Sequence, residues 1–223
     1  MLGPMDIAIA GGHGQIALRL ERLLAAAGHR SRAIVRNPDH AADVRAAGAE
    51  PVVLDLEEIA HLAELTEAVR GADAVVFAAG AGPGSGPERK RTVDYGAAVK
   101  LLAAAQAAGV GRYLMVSTLG ADRPDERPAA MRPYFEAKAE AEEALRAGPV
   151  AWTIVRPGSL TDDPGTGRVR LVDRLDGWGS VPRNDVAAVL AALLAAGGTA
   201  GAGRTLELVG GDTPIADAVD ALG

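Results

Sequence analysis

The sequence predicts an α/β fold: a doubly wound parallel sheet with helices on both faces, in one domain over residues 1–223 whose last part, 157–223, forms a short cap. Three observations carry this prediction. Six continuous apolar runs alternate with helical patterns, several of those helices stop at a glycine, and the first run feeds Gly11-Gly12-His13-Gly14, which opens directly into a helix. Strands apolar throughout are buried on both faces, and their alternation with helices makes them parallel.

The first strand is Asp6 to Ala10, and its helix, Gln15 to Ala27, carries apolar residues at Ile16, Leu20, Leu23, Leu24 and Ala27. Further strands are expected at Ser31 to Val35, Pro51 to Leu54, Ala74 to Ala78, Tyr113 to Ser117 and Trp152 to Val155. Between them the pattern predicts helices at Ala41 to Ala47, Ile59 to Arg70, Thr92 to Ala108 and Pro133 to Ala147. Gly28, Gly48, Gly71, Gly109 and Gly148 follow helices as left-handed caps. After Arg156 the regularity breaks. A loop from Pro157 to Gly167 precedes a short strand at Arg168 to Val172, a helix at Asp185 to Ala196 and a strand at Thr205 to Val209. This tail is too short to fold alone and is expected to cap the carboxyl ends of the strands, where such sheets bind ligands.

Composition narrows the function classes. Of 223 residues, 48% are hydrophobic but only 3% aromatic, so the core is built from Ala, Val and Leu. A net charge of −6 and few stacking platforms argue against nucleic acid as a partner. No apolar run is long enough to span a membrane, and the amino terminus shows no signal-peptide pattern, so a cytoplasmic location is expected. Zero cysteines removes disulfides, thiolate catalysis and thiolate metal sites, and no close grouping of His or Glu suggests a metal. The Ala-rich helices offer faces for a homodimer and equally for packing within the sheet sandwich.

The glycine turn has a physical reading. Gly11 permits a tight turn, and Gly14, without Cβ, lets an anion approach the amides at the positive end of the helix. Ala17, one turn on, lets the helix lie close to the strand, and together these locate a pyrophosphate. An NAD-selective site places an acid at the end of strand two; from Arg30 to Pro38 there is none, and Arg36 stands there instead. A guanidinium pairs with a 2′-phosphate that a carboxylate would repel, so NADP is expected over NAD. Asp55-Leu56 ends strand three beside the adenine, where Asp55 either accepts from the adenine amine or caps the following helix. His13 lies within the turn, and either reaches the pyrophosphate or is an exposed loop histidine. Cations in Glu88-Arg89-Lys90-Arg91 oppose the dipole of the helix they start, which suits either a phosphate-bearing ligand or a solvated basic turn.

Tyr134 and Lys138, four apart on a helix entered through Pro133, project from one face. A neighbouring ammonium favours the phenolate form of a tyrosine.

These features sit among others: Ala78-Ala79-Gly80, Thr92-Val93-Asp94-Tyr95, Val116-Ser117-Thr118, Tyr134-Phe135-Glu136-Ala137-Lys138 and Val155-Arg156-Pro157-Gly158. Together they resemble the short-chain dehydrogenase/reductase superfamily with its Rossmann fold, and more narrowly its atypical members, often labelled NAD-dependent epimerases or dehydratases. The resemblance runs from strand one to about Asp185. It implies a dinucleotide held by Gly11, Gly12, His13, Gly14, Gln15, Ile16, Arg36, Asp55, Leu56, Ala78, Ala79, Gly80, Lys138, Pro157 and Gly158. It further implies that Tyr134 gives a proton to a carbonyl oxygen as hydride arrives at carbon, that Lys138 tunes it and binds the nicotinamide ribose, and that Ser117 or Thr118 bonds the substrate oxygen. Asp94 stands where superfamily catalysts usually carry asparagine, as in the atypical subgroup. Extended epimerases follow the strand-five serine with Val-Tyr-Gly and carry a larger C-terminal domain; here Leu119-Gly120 and a short tail replace them. The expectation is an NADP-dependent oxidoreductase acting on a small carbonyl. The alternatives are a flavin or quinone reductase and a non-catalytic NADP sensor.

Overall fold

The computed structural model describes residues 3–57, 62–82, 84–197 and 200–223. The first half runs β1 (Asp6–Ala10), α1 (Gln15–Ala26), β2 (Arg30–Val35), α2 (Ala41–Ala46), β3 (Glu50–Val53), α3 (Leu62–Val69) and β4 (Ala74–Phe77). A helix of three windings follows: α4 (Pro87–Arg89), a π-helical stretch over Lys90–Ala97 and α5 (Ala98–Ala108). Then come β5 (Arg112–Val116), α6 (Arg132–Arg146), β6 (Ala151–Pro157), β7 (Ser159–Thr161), β8 (Arg168–Val172), β9 (Ser180–Pro182), α7 (Arg183–Ala195), β10 (Arg204–Gly210), β11 (Thr213–Pro214) and α8 (Ile215–Asp220). The first residues of the helix expected from Ile59 lie outside the described residues.

A nine-stranded sheet orders these strands β11-β8-β10-β6-β5-β4-β1-β2-β3, and everything from β3 to β10 along it is parallel. Strand alternation assigns the two faces. Ile7, Ile9, Val76 and Leu114 pack with α1 and α7, whereas Ala8, Val75, Phe77, Tyr113 and Met115 pack with α3, α5 and α6. Ala104, Ala105 and Ala141 are buried in that second layer, so these alanine faces of α5 and α6 serve the sandwich. Gly28, Gly48, Gly71 and Gly109 adopt the left-handed conformation, while Gly148 does not and is instead pressed against Gln106 and Leu102.

Much of the tail expected as a cap extends the sheet. Without β10, β6 would present an open edge; Leu206 and Leu208 bring β10 alongside it in register with Val155 and Pro157, and α7 covers the new strands. What lies past the carboxyl end of β6 is the short parallel pair β7 and β9. Among the described residues no helix is long and apolar enough to cross a membrane.

Candidate functional site

The order of the strands reverses between β1 and β4, and outside their carboxyl ends lies a cleft of about 480 Å³. Gly11, His13, Gly14, Arg36, Asp55, Leu56, Ala78, Ala79 and Gly80 line it, together with Asn37, His40, Glu57 and Arg89. Gly11 has φ of +80°, and a Cβ there would stand 2.6 Å from the Ala79 Cα. A Cβ on Gly14 would meet the Gly11 carbonyl at 3.0 Å. Backbone therefore forms this wall, beside first-turn amides of α1 that have no intrahelical acceptor. Gly12 has another reason to be glycine: its Cβ would collide with Ala33 on β2 at 2.5 Å, and it does not line the cleft. Ile16 is buried in the core, and the Gln15 side chain accepts from Arg19 at 2.9 Å. Gly11→Ala is expected to cost about 2–4 kcal/mol of stability in urea unfolding, because backbone strain and a backbone clash add.

At the far end of the cleft the charges are paired. Glu57 Oε2 accepts from Arg36 at 2.8 Å and from Arg89 at 3.2 Å, and Glu57 Oε1 accepts from the Thr92 hydroxyl at 2.7 Å. Burial pushes the Glu57 carboxyl upward, but the Thr92 hydroxyl and the two guanidiniums outweigh it and hold it below the usual carboxylate range. Arg32, the other strand-two arginine, is used in the scaffold, donating to Asp6 and to the Ala68 carbonyl. Asp55 Oδ1 accepts from the Glu57 amide at 2.9 Å, a local turn bond. His13 stacks on His40 with ring centroids 3.6 Å apart and bonds Asp43 at 2.8 Å.

Of the four residues expected in catalysis, Lys138 and Asp94 meet at the neighbouring ends of β4 and β5, and Tyr134 lies near them. Lys138 Nζ is buried, 3.3 Å from Asp94 Oδ1, and donates to the carbonyls of Val116 at 3.3 Å and Ala79 at 3.4 Å. Asp94 also accepts from the Ala81 amide at 3.2 Å, so the pair braces the strand end that forms the cleft wall. The π-helical stretch carries Asp94 to this place, where it is wholly buried. Tyr134 is half-buried, its ring centroid 5.2 Å from Lys90 Nζ and 6.0 Å from Lys138 Nζ. Ser117 is turned away. Its hydroxyl donates to Glu142 at 2.6 Å, and Glu142 is wholly buried and also bonds Arg156 and Arg146. Thr118, one residue on, is half-buried beside it.

Pro157 and Gly158 do not line the cleft either. Gly158 lets β7 pass the Gly179 carbonyl, which a Cβ would meet at 2.2 Å.

A sequence profile described as NAD(P)H-binding matches residues 11–196. The chain belongs to this NAD(P)H-binding family. Among its relatives, a Bacillus subtilis protein named "Uncharacterized sugar epimerase YhfK" is 38% identical over 98% of this chain and all of its own length. A Bacillus halodurans structure named as a provisional NAD-dependent epimerase/dehydratase superimposes with a TM-score of 0.91 at 36% identity, covering 97% of this chain and 99% of that one. The oxidoreductase ylbE from Lactococcus lactis gives 0.84 at 26% identity, covering 98% and 96%. As a member of the NAD(P)H-binding family, the chain has its Rossmann sheet, and the cleft at the strand reversal fits a dinucleotide because Gly11 and Gly14 leave its wall to backbone where a Cβ would clash.

Sequence reasoning missed Glu57 and Glu142. Neither carries a local signal: Glu57 matters only because Arg36 and Arg89 arrive from other elements, and Glu142 only because Arg156 does.

Proposed function

We propose that this chain is an NADP-dependent oxidoreductase that reduces a small carbonyl. The observation that carries it is the pair of guanidiniums, Arg36 and Arg89, at the end of a cleft beside β2 and β3 whose opposite wall is braced by the Lys138–Asp94 pair next to Tyr134. When bound, the nicotinamide supplies the hydride. Gly11, Gly14 and the amino end of α1 would hold the pyrophosphate and Arg36 the 2′-phosphate, with Ala78, Ala79 and Gly80 along the cleft wall. Tyr134 donates the proton to the carbonyl oxygen, with the Lys90 and Lys138 ammoniums near its ring to stabilise the phenolate left behind. Thr118 rather than Ser117 is the hydroxyl free to bond that oxygen, because Ser117 serves Glu142.

The commitment of Ser117 favours a second reading, hydride transfer to a bound flavin or quinone, which needs no proton relay of that kind. Tyr134→Phe separates the two. Carbonyl reduction predicts a fall in kcat of about 100-fold or more with NADPH affinity kept. Unchanged turnover on a flavin or quinone supports the second reading. Tight NADP binding with no turnover across a broad acceptor panel overturns both in favour of a sensor, and isomerisation of a sugar with no net NADPH consumption overturns both in favour of an epimerase.

A further inference from the structure

Three elements meet at the end of the cleft beside β2 and β3, and among the described residues two of their guanidiniums pair with one carboxylate. Arg36 follows β2, Arg89 closes α4, and Glu57 follows β3, so two guanidiniums share one carboxylate. Both reach the same oxygen, Oε2, at 2.8 and 3.2 Å. The backbone that presents Glu57 is itself pinned, since Lys100 Nζ donates to the carbonyls of Leu56 and Glu57 at 2.8 and 2.7 Å. Glu57 is mostly covered, while Arg36 and Arg89 keep 54% and 41% of their side chains exposed and both line the cleft.

A carboxylate is a poor final partner for this pair. It carries one negative charge against two positive ones, and each guanidinium offers five donors in a planar fork suited to phosphate oxygens. A phosphate monoester dianion matches both the charge and the number of donors. We infer that Arg36 and Arg89 form a two-guanidinium clamp for the 2′-phosphate of the adenosine ribose, and that Glu57 is its built-in counter-ion, holding the clamp assembled and giving up its share of the guanidiniums to the phosphate. Arg89 is thus a second selectivity residue, supplied from beyond β4, and Glu57 sets how strongly the site discriminates. The neutral ribose hydroxyl of an NAD-type cofactor gives the guanidiniums no charge to move to, so the Glu57 pairs stay as they are. This inference rests on the reading of the cleft as an NADP site.

The test is calorimetric titration of the full chain with NADPH, NADH and 2′-AMP, with 5′-AMP as the control lacking a 2′-phosphate. Arg89→Ala and Arg36→Ala are each expected to weaken NADPH and 2′-AMP about tenfold or more while leaving NADH within about twofold. Arg89→Lys keeps the charge, loses the fork and falls between. Glu57→Gln is expected to tighten NADPH and 2′-AMP several-fold, with NADH unchanged. Thermal melts of each variant confirm folding. Equal effects of Arg89→Ala on NADPH and NADH overturn the clamp, and so does a loss of NADH affinity in Glu57→Gln, which would make Glu57 a ribose-hydroxyl acceptor. Binding of 2′-AMP over 5′-AMP with no dinucleotide bound keeps the clamp and sinks the cofactor reading; binding of none of the ligands sinks both.

Discussion

Replacing Arg156 with leucine is expected to lower the unfolding free energy by about 3–5 kcal/mol at neutral pH, measured by urea titration. Arg156 is buried at the carboxyl end of β6 and is the shared cation of three carboxylates: Glu142 at 2.6 Å, Asp122 at 3.2 Å and Glu207 at 3.7 Å. Glu142 and Glu207 have almost no exposure, so removing the cation leaves negative charge stranded away from water. Glu142 would keep Arg146, which softens the loss there. Burial pushes the Asp122 carboxyl upward, but Arg156 and Arg123 outweigh it and hold it below its ordinary value of 3.8. A depressed carboxylate contributes stability above its unfolded value and loses it as pH falls through the folded one. Much of that contribution is absent in Arg156→Leu, so the deficit against the parent protein is expected to shrink below about pH 4. A deficit that is constant from acid to neutral pH would show that the lost apolar packing of the side chain, not its charge, causes the effect.

Glu21→Gln is expected to act in the opposite direction. Glu21 lies on the buried face of α1 with no exposure, and among the described residues neither carboxylate oxygen has a hydrogen-bond partner. Burial pushes its pKa from 4.5 to about 8, against a smaller lowering by Arg22. The folded state therefore holds a proton that the unfolded chain releases above pH 4.5. Stability falls as pH rises from 4.5 to about 8, by roughly 3 kcal/mol at pH 7 and roughly 5 kcal/mol once the window is passed. The amide, neutral throughout, removes that slope. Unfolding curves at about pH 5 should nearly coincide for the two proteins, and at about pH 8.5 the variant should be the more stable by several kcal/mol. Parallel pH profiles would mean that Glu21 ionises in the folded protein at its ordinary pKa.

Both residues show where reading the sequence stops. Position 21 falls on the helix face that carries Ala17, Leu20 and Leu24, yet the pattern alone leaves a glutamate there indistinguishable from one at the edge of the apolar stripe. It is covered because α7, from beyond residue 180, packs on α1. Arg156 stands in a visible motif, but its partners come from α6, the loop after β5 and β10, none of them close in sequence. The serine of the expected catalytic set fails for the same reason: whether the Ser117 hydroxyl faces a substrate or Glu142 depends on a helix turn 25 residues later.

The tail is the clearest case at the level of fold. Short strands and a loop rich in Gly and Pro after Arg156 suggested a cap, whereas the edge of β6 needed a partner and β10 supplied it. Periodicity assigns an element its type but cannot assign its neighbour, because backbone hydrogen-bonding groups on a strand edge are the same whichever strand satisfies them.

What depends on local backbone is legible in the sequence: five βα repeats and a sixth strand, the parallel sheet they imply, and a glycine turn that only residues without Cβ can make at Gly11, where a side chain would strike Ala79. These follow from dihedral limits and side-chain period, which act over a few residues. Tertiary structure decided the charge partners. Arg36 was legible as a cation at the end of strand two, but that it shares Glu57 with Arg89 follows from three chain segments brought together by strand order. Coulombic and hydrogen-bond energies depend on distance in space, and distance in space is what folding sets.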